Sequence, residues 1–302
     1  MGLSNRLQLK KQTVYYIQKM IGLLAPSLKI CLFCNKTITQ KMYISHSIAA
    51  DAHNAIPQAL IQSICGSCLQ SIPWINKLQC WVCGRAIACP DCSRRSNTYF
   101  VCNRSAVEYS SQMQELLARY KYRGEEKLEL YLGAMLFPSI ERLSCDVVNR
   151  LGIWNVIDSK SMKGKKVNLD TLWDAITYVP VSVERAEERG FNQSERLAAA
   201  ISNKYGIPLF HLLLRKKHSV KQSFKTRSER LKDMQNIFMV DPEGWRELFN
   251  HPSREFREMR AIRLLLIDDI YTTGSTIQAC SKELYTCSYG KIEIYALTWA
   301  RS

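Results

Sequence analysis

The sequence predicts an α/β domain with a mainly parallel sheet, preceded by a small metal-binding module. Three observations predict it. From residue 99 onward, short apolar runs bounded by turn residues alternate with helical patterns. Eight of the twelve cysteines form four Cys-x-x-Cys pairs between residues 31 and 92. One apolar run, LLLIDDIYTTGSTI at 264–277, passes through two acids into a loop of hydroxyls and glycine and then into a helix.

Taken in order, Leu3, Leu7, Tyr15, Ile17, Met20, Ile21 and Leu24 recur at helical spacing and predict a leading amphipathic helix that Pro26 stops. The cysteine region follows and closes at the polar stretch 93–98, which sets a domain boundary between 1–98 and 99–302. Residues 98–110 read as one or two strands. Residues 111–124 read as a helix ended by Gly124, and a second helix over 125–142 is kinked or divided at Pro138. A basic loop over 158–168 precedes a buried strand at 173–181 and a helix at 191–206, whose Ala198, Ala199 and Ala200 favour it. A basic segment at 215–232 and a short strand, IFMV, come next, and the polar stretch 241–261 reads as an irregular exposed insertion. IRLLLIDD is a buried strand, a helix starts at Ser275, and KIEIYALTWA is a third strand.

Lys and Arg number 42 against 27 Asp and Glu, a formal net charge of +15, which favours polyanionic partners over acidic surfaces. No apolar run is long enough to span a bilayer, and the N-terminus lacks a secretory h-region, so a cytoplasmic protein is expected.

The pairs are Cys31 and Cys34, Cys65 and Cys68, Cys80 and Cys83, and Cys89 and Cys92. A Cys-x-x-Cys turn aims two thiolates at one ion, and two such turns fill a tetrahedral four-sulfur site. Two zinc ions are expected, held by the pairs in chain order; a crossed arrangement and an iron–sulfur cluster are the alternatives that spacing leaves open. Such sites are closed and structural. A Cys83→Ser change is therefore expected to lower zinc content and loosen the N-terminal module while leaving ligand affinity elsewhere largely intact. Cys102, Cys145, Cys280 and Cys287 read as small buried hydrophobes. Trp74, Trp81 and Tyr99 are candidates for base stacking, with Trp81 read as the filler of a small ribbon core.

In the run at 264–277, Thr272, Thr273, Gly274, Ser275 and Thr276 offer hydroxyls and backbone N–H groups at a helix N-terminus, suited to a phosphate monoester. Asp268 and Asp269 repel a bare phosphate, so they face another part of the ligand. A ribose diol fits them, because carboxylates accept hydrogen bonds from paired hydroxyls. The pattern calls for a sugar phosphate.

This stretch resembles the binding motif for 5-phosphoribosyl 1-pyrophosphate (PRPP) of type I phosphoribosyltransferases. The wider chain resembles one branch, the ComF/ComFC competence family, through its cysteine pairs and the segments YKYRGEEKLELYLGAML, VPVSVERAEERGFNQSERLA and KQSFKTRSERLKDMQNIF. The resemblance implies a type I phosphoribosyltransferase-like core behind a double zinc ribbon. It implies that Val179, Pro180 and Val181 with Arg185, Arg189 and Gly190 meet pyrophosphate, and that Lys217 and Gln222 lie in a loop closing over PRPP with Mg2+. Asp268, Asp269, Arg185, Arg189 and Lys217 are then the catalytic candidates, supplying positioning and positive charge rather than a nucleophile. The family is associated with natural transformation, which implies single-stranded DNA and a helicase-like component of DNA import as partners. A PRPP-binding uptake factor is the leading expectation; an active phosphoribosyltransferase on an unidentified base or amine is the alternative, and a zinc adaptor with a vestigial site is disfavoured by the intact loop.

Overall fold

The computed structural model describes residues 29–38, 61–93, 97–153, 157–158, 166–216, 237–252 and 260–302. The leading helix expected over 3–24, Arg94, Arg95, Lys217 and Gln222 lie outside the described residues.

Strand β1 (Cys102–Glu108) leads into helices α1 (Ser111–Tyr122), α2 (Leu128–Met135) and α3 (Phe137–Leu151). A short antiparallel pair, β2 (Ile157–Asp158) and β3 (Lys166–Val167), precedes β4 (Ala175–Tyr178), α4 (Val183–Arg189) and α5 (Gln193–Tyr205). A second antiparallel pair, β5 (Leu213–Arg215) and β6 (Phe238–Val240), is followed by α6 (Pro242–Asn250). Then come β7 (Ile262–Tyr271), α7 (Ser275–Cys287) and β8 (Ile292–Arg301).

Four strands form one sheet in the order β1-β8-β7-β4, and every pairing in it is parallel. Parallel neighbours need crossovers, and the helices that supply them cover both faces. That is why β7 is apolar without alternation. Leu265 and Ile267 face a core with Leu117 of α1, Leu132 of α2, Ile140 of α3 and Leu197 of α5. Leu264 and Leu266 face the opposite core, with Ile277 and Leu284 of α7, Phe238 of β6 and Leu248 of α6. Each such side chain contributes about 1.5–3 kcal/mol by leaving water. The α/β class with a mainly parallel sheet is therefore as the sequence predicts.

Local chemistry sets the helix starts. The Ser110 hydroxyl accepts from the Met113 N–H, and the Asn192 amide oxygen accepts from the N–H groups of Ser194 and Glu195. The helix expected over 125–142 is two: α2 stops at Met135, and Pro138 sits in the first turn of α3, where its missing N–H costs nothing. Residues 98–110 hold one strand. The reading of 241–261 as irregular is corrected: Asp241 accepts from the Glu243 N–H, Pro242 opens the helix, and α6 runs to Asn250. Cys102 and Cys280 are buried as expected, but Cys145 and Cys287 are exposed on the outer faces of their helices. Among the described residues, no helix is long and apolar enough to cross a membrane.

Because the four strands run the same way, their carboxyl ends gather at one edge. Tyr271 pairs with Arg301 across β7 and β8, and Glu108 pairs with the same Arg301 across β1 and β8. The loops after β4 and β7 leave from this edge.

Candidate functional site

The cysteines form two clusters, each seated on its own face of the sheet. Cys31, Cys34, Cys65 and Cys68 bring their sulfurs within 4.8 Å of one another, and so do Cys80, Cys83, Cys89 and Cys92. The pairs therefore combine in chain order, and the crossed arrangement is excluded. Cys34 and Cys65 sulfurs are 3.8 Å apart and those of Cys83 and Cys89 3.5 Å. A tetrahedron with metal–sulfur bonds of about 2.3 Å has edges of about 3.8 Å, so the donors fit zinc in both places.

Each cluster is tied to the α/β core by an arginine that binds knuckle carbonyls. Arg119 of α1 donates to the Phe33 and Leu32 oxygens at 2.7 and 2.9 Å. Arg104 of β1 donates to the Trp81 oxygen at 2.8 Å, and the Asn103 N–H donates to the Val82 oxygen at 2.7 Å. Gly84 has φ +71°, and a Cβ there would meet the Asn103 oxygen at 2.5 Å, so glycine lets the second knuckle lie against β1. Trp81 does not fill a ribbon core: it is 41% exposed, with the Arg104 guanidinium stacked 4.3 Å from its ring. The knuckle is too short to enclose an indole, and the arginine holds it at the surface.

At the strand-end edge, β7 runs two residues past the acids. Asp268 is buried, accepting from the Ser194 hydroxyl at 3.0 Å and the Asp269 N–H at 2.9 Å. Burial, and next the charge of Asp269, push its carboxyl up to about 7. Asp269 forms an ion pair with Lys121 from the last turn of α1. Thr272, Thr273 and Ser275 are exposed, Thr276 is half-buried, and Gly274 caps α7 with φ +77°. A Cβ on Gly274 would meet the Tyr271 hydroxyl at 2.1 Å, so only glycine fits. The Thr273 hydroxyl bonds to Ser275 at 3.1 Å, leaving a row of hydroxyls at the start of a 13-residue helix.

The neighbouring loop begins at Val179, whose N–H donates to the Ile267 oxygen at 3.0 Å and whose oxygen accepts from Asn192 at 3.2 Å. It continues into α4, a short helix that the sequence reading passed over because none of its residues is buried. Arg185 on it is exposed. Arg189 is half-buried, donates to Gln193 at 2.7 Å and to the Tyr122 hydroxyl at 2.8 Å, and stacks 4.8 Å from that ring. The buried Nε2 of Gln193 has no partner among the described residues. Asp268, Asp269, Arg189 and the hydroxyl loop thus share one edge, while Lys217 lies outside the described residues.

Lys121, Ser194 and Arg301 join this edge without having been picked from sequence. Lys121 and Ser194 were within segments that carried the family resemblance, but a helix-end lysine and a first-turn serine also serve as ordinary capping residues.

No protein-family model matches the chain. It is similar to Competence protein ComFC of Bacillus subtilis (strain 168), 27% identical over 230 residues, covering 73% of this chain and 77% of that protein. Competence protein ComFC of Streptococcus pneumoniae is 25% identical over 268 residues, covering 88% and 98%. Competence protein F of Haemophilus influenzae is 23% identical over 193 residues, covering 64% and 70%.

Proposed function

The chain belongs to the ComF/ComFC competence family, and from that premise we propose that it is a DNA-uptake factor whose strand-end edge binds PRPP with Mg2+. In this reading residues 99–302 are a type I phosphoribosyltransferase-like core and residues 1–98 a double zinc ribbon. The observation that carries it is the meeting of two loops, after β4 and β7, at the carboxyl ends of adjacent parallel strands. Ligands of open α/β sheets bind outside those ends.

Asp268 and Asp269 accept the ribose hydroxyls, and the N–H groups and hydroxyls of Thr272 to Thr276 take the 5′-phosphate. Arg185 and Arg189 face the pyrophosphate, and Lys217 is a further cation for its charge. The diol replaces Lys121 on Asp269, which frees an ammonium for the pyrophosphate oxygens. The residues bind, orient and neutralise charge; none is a nucleophile. The basic excess and the exposed Trp81, lying over the buried Arg104, support single-stranded DNA as a second ligand.

Thermal melting with millimolar PRPP and Mg2+ tests the first part. A clear rise that Asp268→Asn/Asp269→Asn abolishes is expected, since ligands that bind only the folded state stabilise it. A melting point indifferent to PRPP would sink the reading. Release of pyrophosphate with candidate acceptors distinguishes an active transferase from a binding protein.

A further inference from the structure

We infer that Arg301 is a positioning residue that couples the second cysteine cluster to the phosphate loop, so that the loop's affinity for phosphate esters follows the metal state of Cys80, Cys83, Cys89 and Cys92. The inference rests on the proposed PRPP site and names how that site is held.

Arg301 ends β8, is buried, and pairs in register with Tyr271, the last residue of β7. Its Nη1 donates to the Tyr271 and Thr272 oxygens at 3.1 and 2.7 Å, and its Nη2 lies 3.9 Å from the Cys83 sulfur. Its guanidinium carbon stands 4.7 Å from the Tyr271 ring centroid. Tyr271 in turn is the side chain against which Gly274 packs, its hydroxyl filling the space where a Cβ would be. One fork therefore touches the metal cluster, the first residue of the loop and the ring that shapes its glycine.

A strand-end arginine satisfied by the oxygens of Tyr271, Thr272 and Ser302 is the simpler description, but all three lie on Nη1 and leave Nη2, which faces the Cys83 sulfur, unaccounted for. A buried guanidinium is favoured by a negative charge beside it. Four thiolates around one divalent ion carry a net charge of 2 − 4 = −2. The loaded cluster thus sets a negative charge beside Nη2, which an emptied cluster does not hold in place. Without it the fork turns toward water, and the Thr272 carbonyl and Tyr271 ring lose their anchor. The metal and the loop are then linked, where the sequence reading kept them independent.

The test compares variants that empty one cluster at a time. Cys92→Ser empties the second without altering the sulfur that meets Arg301, and Cys34→Ser empties the first as a control. PRPP with Mg2+ is titrated into each, with zinc content measured alongside. Emptying the second cluster is expected to weaken PRPP about five- to a hundred-fold, the usual span of coupling between sites, and emptying the first much less. Arg301→Gln should show the same weakening while keeping its zinc, and adding Cys92→Ser to it should weaken binding no further. Arg301→Lys, which keeps the charge and loses the fork, should fall between. Hydrogen exchange at the amides of 272–276 reads the same coupling without ligand: it should quicken in Cys92→Ser, and Arg301→Gln should already be quick. If zinc-loaded wild type does not bind PRPP, the proposed function fails and the exchange data alone decide the coupling. Equal exchange in wild type and Cys92→Ser, or effects of Arg301→Gln and Cys92→Ser that multiply, would overturn it.

Discussion

Asp268 holds its proton to about pH 7, chiefly because burial disfavours the carboxylate and next because Asp269 is already charged. An unfolded aspartic acid ionises near pH ~4. Between about pH 4 and about pH 7 the native state therefore keeps a proton that the unfolded chain has lost, and stability from this group declines as pH rises through that window. The same ionised form is the one that accepts a diol. PRPP affinity is accordingly expected to rise from pH about 6 to about 8, with proton release on binding near pH about 7, which calorimetry in buffers of different ionisation enthalpy measures. Asp268→Asn should melt higher than wild type at pH about 8, lose that advantage near pH about 5, and show no PRPP-dependent shift. A variant less stable than wild type at the higher pH would contradict the assignment. Gly274→Ala makes a different demand. Its Cβ collides with the Tyr271 hydroxyl and its φ is left-handed, so a loss of roughly 1–3 kcal/mol in denaturant unfolding is expected, with PRPP binding lost and zinc retained.

Among the elements, α6 shows what the sequence conceals. Trp245, Leu248 and Phe249 recur at helical spacing, but the stripe spans barely more than one turn, and the start is marked by Asp241 and Pro242, residues equally at home in a turn. The side chain of Asp241 caps the helix and also pairs with His211 at 3.2 Å, so Asp241→Ala should cost about 1 kcal/mol by chemical denaturation while leaving metal and PRPP binding unchanged. Helix α4 escaped for a different reason, having no buried face at all. By contrast α5 was legible from its alanines and Gly206, and β7 and β8 from unbroken apolar runs that only a doubly covered strand can tolerate. The acids and the hydroxyl loop were legible because they are contiguous. Lys121, Ser194 and Arg301 were not, because each reaches the edge from a separate element and becomes a site residue only once the sheet is assembled.

For the molecule as a whole, elemental analysis should return two zinc ions per chain, and Cys34→Ser and Cys92→Ser should each remove one. Colour and iron in place of zinc would overturn the metal assignment. Single-stranded DNA should bind without base preference and weaken steeply as salt rises, because phosphate neutralisation dominates a protein of this charge. Trp81→Ala should reduce that affinity about five-fold or more by removing a stacking face, while leaving the salt slope nearly intact. No retention of a single strand by zinc-loaded protein at low salt would move the DNA role to a partner. The strand order has its own consequence for how the chain is made. One edge of β1 meets Pro73, Ile75 and Val82, which precede it, but in the described sheet its other edge pairs with β8 and must wait for residues 292–301 to be synthesised. Until then β1 and β7 emerge from the ribosome each with one unsatisfied edge, the one that β8 later fills, a state in which nascent chains associate with one another or with chaperones. A ribosome stalled before residue 292 therefore carries a chain with both cysteine clusters complete and its sheet still open at the centre.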